Sequence, residues 1–126
     1  KIERWQKISE VAAKQSGRDI IPKINTVVKI SDLCNSAKDY DMLIVPYEKE
    51  EECSLKSAIE ELKLINNSKL SIGIVIGPEG GFEVSEIERL KSSGAKIITL
   101  GKRILRTETV AIAMASVIMY ELGGNI

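Results

Sequence analysis

The fold is decided by one stretch in the second half of the chain, IGIVIGPEGGFEVSEIERL (residues 72–90). Residues 72–76 form an unbroken apolar run, which is typical of a strand buried on both faces of a parallel sheet. Residues 77–81 contain three glycines, which permit positive φ and let a ligand approach the backbone closely. Apolar residues at helical spacing then predict a helix, with Ser85 and Glu88 as its capping box. The stretch therefore predicts a strand, a glycine-rich turn and a helix in direct succession.

The same alternation extends to both sides of this stretch. Before it, the sequence predicts a helix over residues 3–16, a strand over 27–30, a helix over 31–37 capped by Ser31 and Asp32, and a strand over 42–45. A helix follows that opens with the acidic residues 50–52 and ends near Asn66. The strand over 72–76 and the helix from about 84 to 93 belong to the stretch itself, and after it come a strand over 95–100 and a helix over 108–122. Because strands and helices alternate, the sequence predicts an α/β fold with a mostly parallel sheet flanked by helices.

Composition narrows the class of protein. With 126 residues, 44% of them hydrophobic, the chain suits one soluble domain with a modest core. The longest apolar run, residues 110–120, is interrupted by Ser116 and reaches about half the length that a membrane span needs, so no membrane segment is expected. The charged start lacks a signal-peptide pattern and an initiator Met, and we interpret the chain as part of a longer protein.

Histidine is absent, and the two cysteines, Cys34 and Cys53, do not form a CxxC pair. A Cys/His zinc site and a histidine general base are therefore excluded, and no metal cofactor is expected. Two isolated thiols fit reduced side chains in the cytoplasm. The net charge is zero, but residues 1–30 contain seven Lys or Arg against three Asp or Glu. This basic segment is compatible with contact to nucleic acid and equally with a solvated helix face.

Three predicted strand ends could form a site, at residues 46–47, 77–81 and 101–106, because ligands of parallel sheets bind beyond the carboxyl ends of the strands. The glycine spacing fits neither a dinucleotide-binding fingerprint nor a phosphate-binding P-loop. The glycine-rich turn alone could also be a simple tight connection. Arg106 is less easily explained as scaffold, because a cation directly before a helix opposes the helix dipole.

Two long motifs carry a family resemblance: IGPEGGF…EI (residues 76–87) and LGKRILRTETVA (residues 100–111). Together they resemble the RsmE-type 16S ribosomal RNA uridine N3-methyltransferases of the SPOUT superfamily. KIERWQKI (residues 1–8) and AKQSGR (residues 13–18) are also similar to that family, so the similarity covers nearly the whole chain. Family members also carry an N-terminal PUA-like RNA-binding domain and a first strand and helix of the SPOUT domain. We expect both to be absent from residues 1–126, which form the SPOUT methyltransferase domain.

The resemblance implies a SPOUT (alpha/beta-knot) fold with a C-terminal trefoil knot, in which S-adenosyl-L-methionine is held largely by backbone groups. The residues it assigns to cofactor binding are Ile76, Gly77, Pro78, Gly80, Gly81, Leu100, Gly101, Ile104, Leu105 and Thr109. We expect Arg106 to stabilise negative charge on the uracil, and Glu79 to accept a proton or anchor the cofactor. Glu79 could equally be structural. Gln15 and Arg18 are candidates for facing RNA or the partner subunit, and plain core and surface roles are equally open for them.

The resemblance further implies a homodimer that acts on 16S ribosomal RNA or the small ribosomal subunit. The last helix is apolar almost all round, which favours burial of part of it between subunits. Met114 and Ile118 are expected to belong to that interface. Two alternatives remain open: a non-catalytic knotted module that binds RNA or ribosomes, and a SPOUT enzyme that methylates a ribose 2′-hydroxyl.

Overall fold

The computed structural model of the protein describes residues 29–65, 69–78, 80–100 and 107–122. Its helices are α1 (Ile30–Ser36), α2 (Leu55–Lys63), α3 (Val84–Ser92) and α4 (Thr107–Leu122). Its strands are β1 (Met42–Pro46), β2 (Ile72–Ile74) and β3 (Lys96–Ile98), and a 3-10 turn (Ala37–Asp39) follows α1. The predicted helix over residues 3–16 lies outside the described residues. Within them, no helix has the length and apolar character that crossing a bilayer requires.

The three described strands form one parallel sheet in the order β2-β1-β3. The central strand β1 pairs Ile44 with Ile74 on one side and with Lys96 on the other. Both neighbours are reached through helical crossovers, as parallel strands require. The predicted α/β fold with a parallel sheet flanked by helices is therefore confirmed.

Alternating side chains of the strands build a core on each face of the sheet. On one face, Ile44 and Ile98 pack with residues of α2 and α4. On the other face, Leu43, Val45 and Ile97 pack with the half-buried side chains of α1 and with residues of α3. The sheet thus has helices on both of its faces, which explains why the strand sequences are mostly apolar and do not alternate.

Salt bridges join α2 to two of its neighbours. Lys63 Nζ lies 2.8 Å from a Glu121 carboxylate oxygen of α4, and Lys96 Nζ of β3 lies 2.6 Å from Glu61. The hydrogen bond that Lys96 donates to Glu61 raises the pKa of Lys96 above its ordinary value. These partly exposed pairs link α2 to the sheet and to α4 but contribute little free energy.

One face of α4 is fully buried within this chain. Met114, Ile118 and Leu122 are spaced four residues apart, and they are 0%, 3% and 1% exposed in the core shared with α2. The expectation that Met114 and Ile118 lie in a subunit interface is therefore wrong. The apolar residues left on the surface of α4 are Ile112, Val117 and Tyr120. At helical spacing they lie on the side opposite to the buried face.

The helix starts differ from the predicted caps. Helix α1 begins at Ile30 with Lys29 as N-cap, so Ile30 is not part of a strand and Ser31 and Asp32 lie inside the helix. Helix α2 begins after Ser54, whose hydroxyl accepts a hydrogen bond from the Ser57 N–H, and it ends at Lys63. The acidic residues 50–52 precede this helix and do not form its first turn.

Helix α3 has a capping box, but two residues earlier than predicted. The Glu83 carboxylate accepts from the backbone of Glu86, and the Glu86 side chain accepts from the Glu83 N–H at 2.9 Å. The helix ends in a Schellman motif, in which the N–H groups of Gly94 and Ala95 donate to Lys91 and Leu90. Gly94 has a φ of +96°, which a residue with a Cβ rarely adopts.

Candidate active site at the carboxyl edge of the sheet

The ends of the three described strands lie side by side at one edge of the sheet. Beyond β1, the Tyr47 N–H donates to the Ile98 carbonyl of β3 at 2.9 Å. On the other side, the Val75 N–H donates to the Ile44 carbonyl of β1 at 2.9 Å. The structure therefore brings together the starts of the three loops that the sequence singles out. This is where parallel α/β sheets bind ligands.

The glycine-rich turn after β2 is closed by a backbone hydrogen bond. The Gly81 N–H donates to the Pro78 carbonyl at 2.8 Å, and Gly81 has a φ of +80°. At Gly80, a Cβ built on the backbone meets no atom within 4 Å. Gly81 is thus required by the conformation of the turn, whereas Gly80 leaves open space beside an exposed backbone. Such a surface suits a ligand that is held by backbone groups.

Gly77 is required for a different reason, because the ring of Phe82 covers it. A Cβ on Gly77 would lie 2.8 Å from the Phe82 Cε2 atom. Phe82 is half-buried and packs against the core between the sheet and α3, as does Tyr47 from the end of β1. Sequence reasoning missed Phe82, because its position over Gly77 depends on the path of the turn, for which the sequence carries no local signal.

The β1–α2 loop (residues 47–54) also reaches this edge. The Glu50 carboxylate accepts hydrogen bonds from the N–H groups of Glu52 at 3.0 Å and Cys53 at 3.1 Å. These bonds hold the pKa of Glu50 below its ordinary value, and the nearby Lys91 acts in the same direction. The sequence suggested only a helix start here, because three consecutive glutamates favour a first turn.

Some of the predicted site residues are described by the structure, and the others lie outside the described residues. Ile76, Gly77 and Leu100 are half-buried at the carboxyl edge, and Pro78, Gly80 and Gly81 are exposed there. Leu100 also packs against the core shared by α2 and α4, and Thr109 is exposed near the start of α4. Glu79, Gly101, Ile104, Leu105 and Arg106 lie outside the described residues, as do Gln15 and Arg18.

The described part of the chain has no group of three or more His, Cys, Asp or Glu side chains placed to hold a metal ion. Cys34 and Cys53 are free and half-buried. The chemistry available at the edge is therefore that of exposed backbone groups, apolar side chains and the ionic residues of the adjoining loops.

The chain matches one known class of protein over nearly its whole length. The chain belongs to the RNA methyltransferase domain family, whose sequence model matches residues 1–119. It is similar to the ribosomal RNA small subunit methyltransferase E of Mesomycoplasma hyopneumoniae, with 40% identity over 112 residues, 89% of this chain and 45% of that protein. The Bacillus subtilis enzyme of the same name is 37% identical over 121 residues, 96% of this chain and 47% of that protein.

A solved structure agrees with these relatives. The ribosomal RNA small subunit methyltransferase E of Neisseria gonorrhoeae, bound to S-adenosyl methionine, superposes with a TM-score of 0.62 at 29% identity, over 94% of this chain and 47% of that one. The family resemblance of the two motifs is thereby confirmed. The chain spans about half the length of the curated relatives it matches. The trefoil knot stays a prediction, because residues 101–106 and 123–126 lie outside the described residues.

Proposed function

We propose that this chain is the cofactor-binding and catalytic part of an enzyme that methylates N3 of a uridine in 16S ribosomal RNA, with S-adenosyl-L-methionine as methyl donor. One observation carries the proposal. In a chain of the RNA methyltransferase domain family, the glycine-rich turn and the end of β3 flank the end of β1 at one edge of the sheet. The relatives named above are named as ribosomal RNA small subunit methyltransferases, and one is solved with S-adenosyl methionine bound.

The described residues fit this cofactor in two respects. The backbone at Gly80 and Gly81 is exposed and has free space beside it, which suits a ligand bound through N–H and C=O groups. Ile76 and Leu100 are half-buried on the two outer strand ends and offer apolar surface for an adenine ring. We assign Gly77, Pro78, Gly101, Ile104, Leu105 and Thr109 to the same site, as the family resemblance implies.

When bound, the sulfonium of S-adenosyl-L-methionine supplies a methyl group that is already activated for transfer. The remaining work is to remove the N3 proton of the uracil and to hold N3 in line with the methyl carbon. Positioning and electrostatic stabilisation therefore provide most of the rate. We assign Arg106 to the uracil carbonyls, where its charge stabilises the anion that forms as N3 loses its proton. Glu79 is assigned as the proton acceptor or as a hydrogen-bond anchor for the cofactor.

We further propose that the enzyme is a homodimer and that the exposed face of α4 forms part of the interface. Tyr120 is 76% exposed, Ile112 46% and Val117 43%, which leaves three large apolar side chains on one helix face in water. An apolar face of this kind is typical of interaction sites. Gln15 and Arg18 are assigned to the RNA side of the assembly. Since the proposed substrate is ribosomal RNA or the small ribosomal subunit, we place the protein in the cytoplasm.

The proposal is tested by incubating the chain with small ribosomal subunits and isotopically labelled S-adenosyl-L-methionine, followed by mass mapping of the modified nucleoside. We expect N3-methyluridine in 16S ribosomal RNA. The Arg106→Ala variant should lose turnover while its cofactor affinity changes by only a few-fold. A methylated ribose would contradict the target atom. Cofactor binding without any methyl transfer would favour a non-catalytic module.

A further inference from the structure

The peptide group between Ile98 and Thr99 is held on both sides by the β1–α2 loop. The Ile98 carbonyl accepts from the Tyr47 N–H at 2.9 Å, and the Thr99 N–H donates to the Cys53 carbonyl at 2.7 Å. The C=O and N–H of a trans peptide point in opposite directions. The loop therefore contacts one edge of β3 with its first residue and the other edge near its end, where Ser54 pairs with Thr99 in a parallel bridge.

The Glu50 carboxylate organises this loop. One oxygen, Oε2, accepts from the N–H groups of both Glu52 and Cys53, while the Glu50 N–H donates to the Tyr47 carbonyl at 3.2 Å. The two ends of the loop are thus tied together through one residue, by its backbone N–H at one end and its carboxylate at the other. Hydrogen bonds to a carboxylate are stronger than those between neutral groups, so the Glu50 side chain restrains the Cys53 N–H and with it the backbone of Cys53.

The position of Thr99 gives this restraint a consequence. Leu100, which the proposed function assigns to the cofactor, follows Thr99 directly and is half-buried at the carboxyl edge. We propose that Glu50 is a positioning residue for the cofactor site: by shaping the β1–α2 loop, it fixes the Ile98–Thr99 peptide that precedes Leu100. This inference rests on the proposed function.

The experiment compares two variants with a matched control. Glu50→Ala removes the acceptor, Glu50→Gln keeps an oxygen acceptor without the charge, and Glu51→Ala removes the same charge from an exposed neighbour. Affinity for S-adenosyl-L-methionine is measured by calorimetry, and the unfolding temperature of each variant is recorded in parallel. We expect Glu50→Ala to weaken binding roughly tenfold, because two charge-assisted hydrogen bonds are lost. Glu50→Gln should restore most of the affinity, and Glu51→Ala should match the wild type.

Equal affinity in Glu50→Ala and Glu51→Ala would overturn the inference and leave the proposed function standing. Absence of binding by the wild-type chain would instead contradict the proposed function and the inference with it. Should Glu50→Ala fail to fold, amide hydrogen exchange in the wild-type chain decides the question. The N–H groups of Cys53 and Thr99 should gain protection together when S-adenosyl-L-methionine is added. An unchanged exchange rate at Cys53 would overturn the inference.

Discussion

The glycines in the turn after β2 differ in their conformation and surroundings. Gly81 has a φ of +80° and closes the turn through its N–H, whereas a Cβ at Gly80 would meet no atom within 4 Å. Gly77 lies under the ring of Phe82. The packing of the described residues leaves room for a side chain at Gly80, and a glycine in such a place fits a site where a ligand approaches the backbone closely.

The two positions should therefore respond differently to the same substitution. Gly81→Ala is expected to lower the free energy of unfolding by roughly 1–2 kcal/mol, because an L-residue is strained at positive φ. Gly80→Ala should change it by no more than about 0.5 kcal/mol, as for other surface substitutions. Urea unfolding of both variants measures the difference. Equal destabilisation would mean that the turn does not have the described conformation.

At the level of elements, the strands are predictable because their apolar runs are nearly continuous: the predicted strand over residues 42–45 covers β1 except Pro46, and the one over 72–76 contains β2. The caps were less predictable, because more than one acidic or hydroxyl pair satisfies the same spacing rule. Ser85 and Glu88 have the spacing of a capping box, as do Glu83 and Glu86, and the structure forms the second pair.

Part of the candidate site could not be predicted, because it depends on contacts that the sequence pattern does not specify. The glycines and the three strand ends are visible in the sequence because they follow apolar runs. Phe82 over Gly77 depends on the path of the turn, and Glu50 acts through a loop whose partner, Thr99, is far away in the chain. Contacts of this kind have no local pattern, so sequence spacing carries no signal for them.

The β1–α2 loop should be sensitive to acid. Hydrogen bonds from Cys53 and Glu52 lower the pKa of Glu50 from its ordinary value of 4.5. A carboxyl with a depressed pKa in the folded state contributes stability above its unfolded pKa, and this contribution is lost as the pH falls through the folded pKa. We therefore expect the wild type to unfold at a higher temperature than Glu50→Ala near pH 7, and the difference to shrink below about pH 4.5. A difference that is independent of pH would show that the charged form of Glu50 is not the one that holds the loop.

At the scale of the whole molecule, α4 has one apolar face that packs into the core and another that stays exposed, and the sequence alone does not distinguish them. Its apolar residues cover more than one face, and the structure buries the one that includes Met114 and Ile118 inside the chain. A substitution on that face would damage the core of the subunit and would not report on assembly. The exposed residues Ile112, Val117 and Tyr120 are the ones that can report on it.

We predict that Ile112→Lys combined with Tyr120→Lys gives a folded monomer, because the new charges stay in solvent in the single chain but would be buried in an interface. Met114→Lys should instead unfold the chain, since it places an unpaired charge in the core. Sedimentation velocity and circular dichroism distinguish the two results. A dimer that survives both lysines on the exposed face would place the interface elsewhere.

The central claim is that the carboxyl edge of the sheet binds S-adenosyl-L-methionine, and a calorimetric titration of the chain beside Gly80→Val tests it most directly. A Cβ at this position meets no atom within 4 Å in the described part of the chain, so the fold should persist, but the valine side chain would extend into the space proposed for the cofactor. Ser71→Val, exposed at the opposite edge of the sheet, is the matched control. We predict saturable binding to the wild type and to Ser71→Val, and a loss of at least about tenfold in the folded Gly80→Val variant. Equal binding by all three proteins, or none by the folded wild type, would contradict the claim.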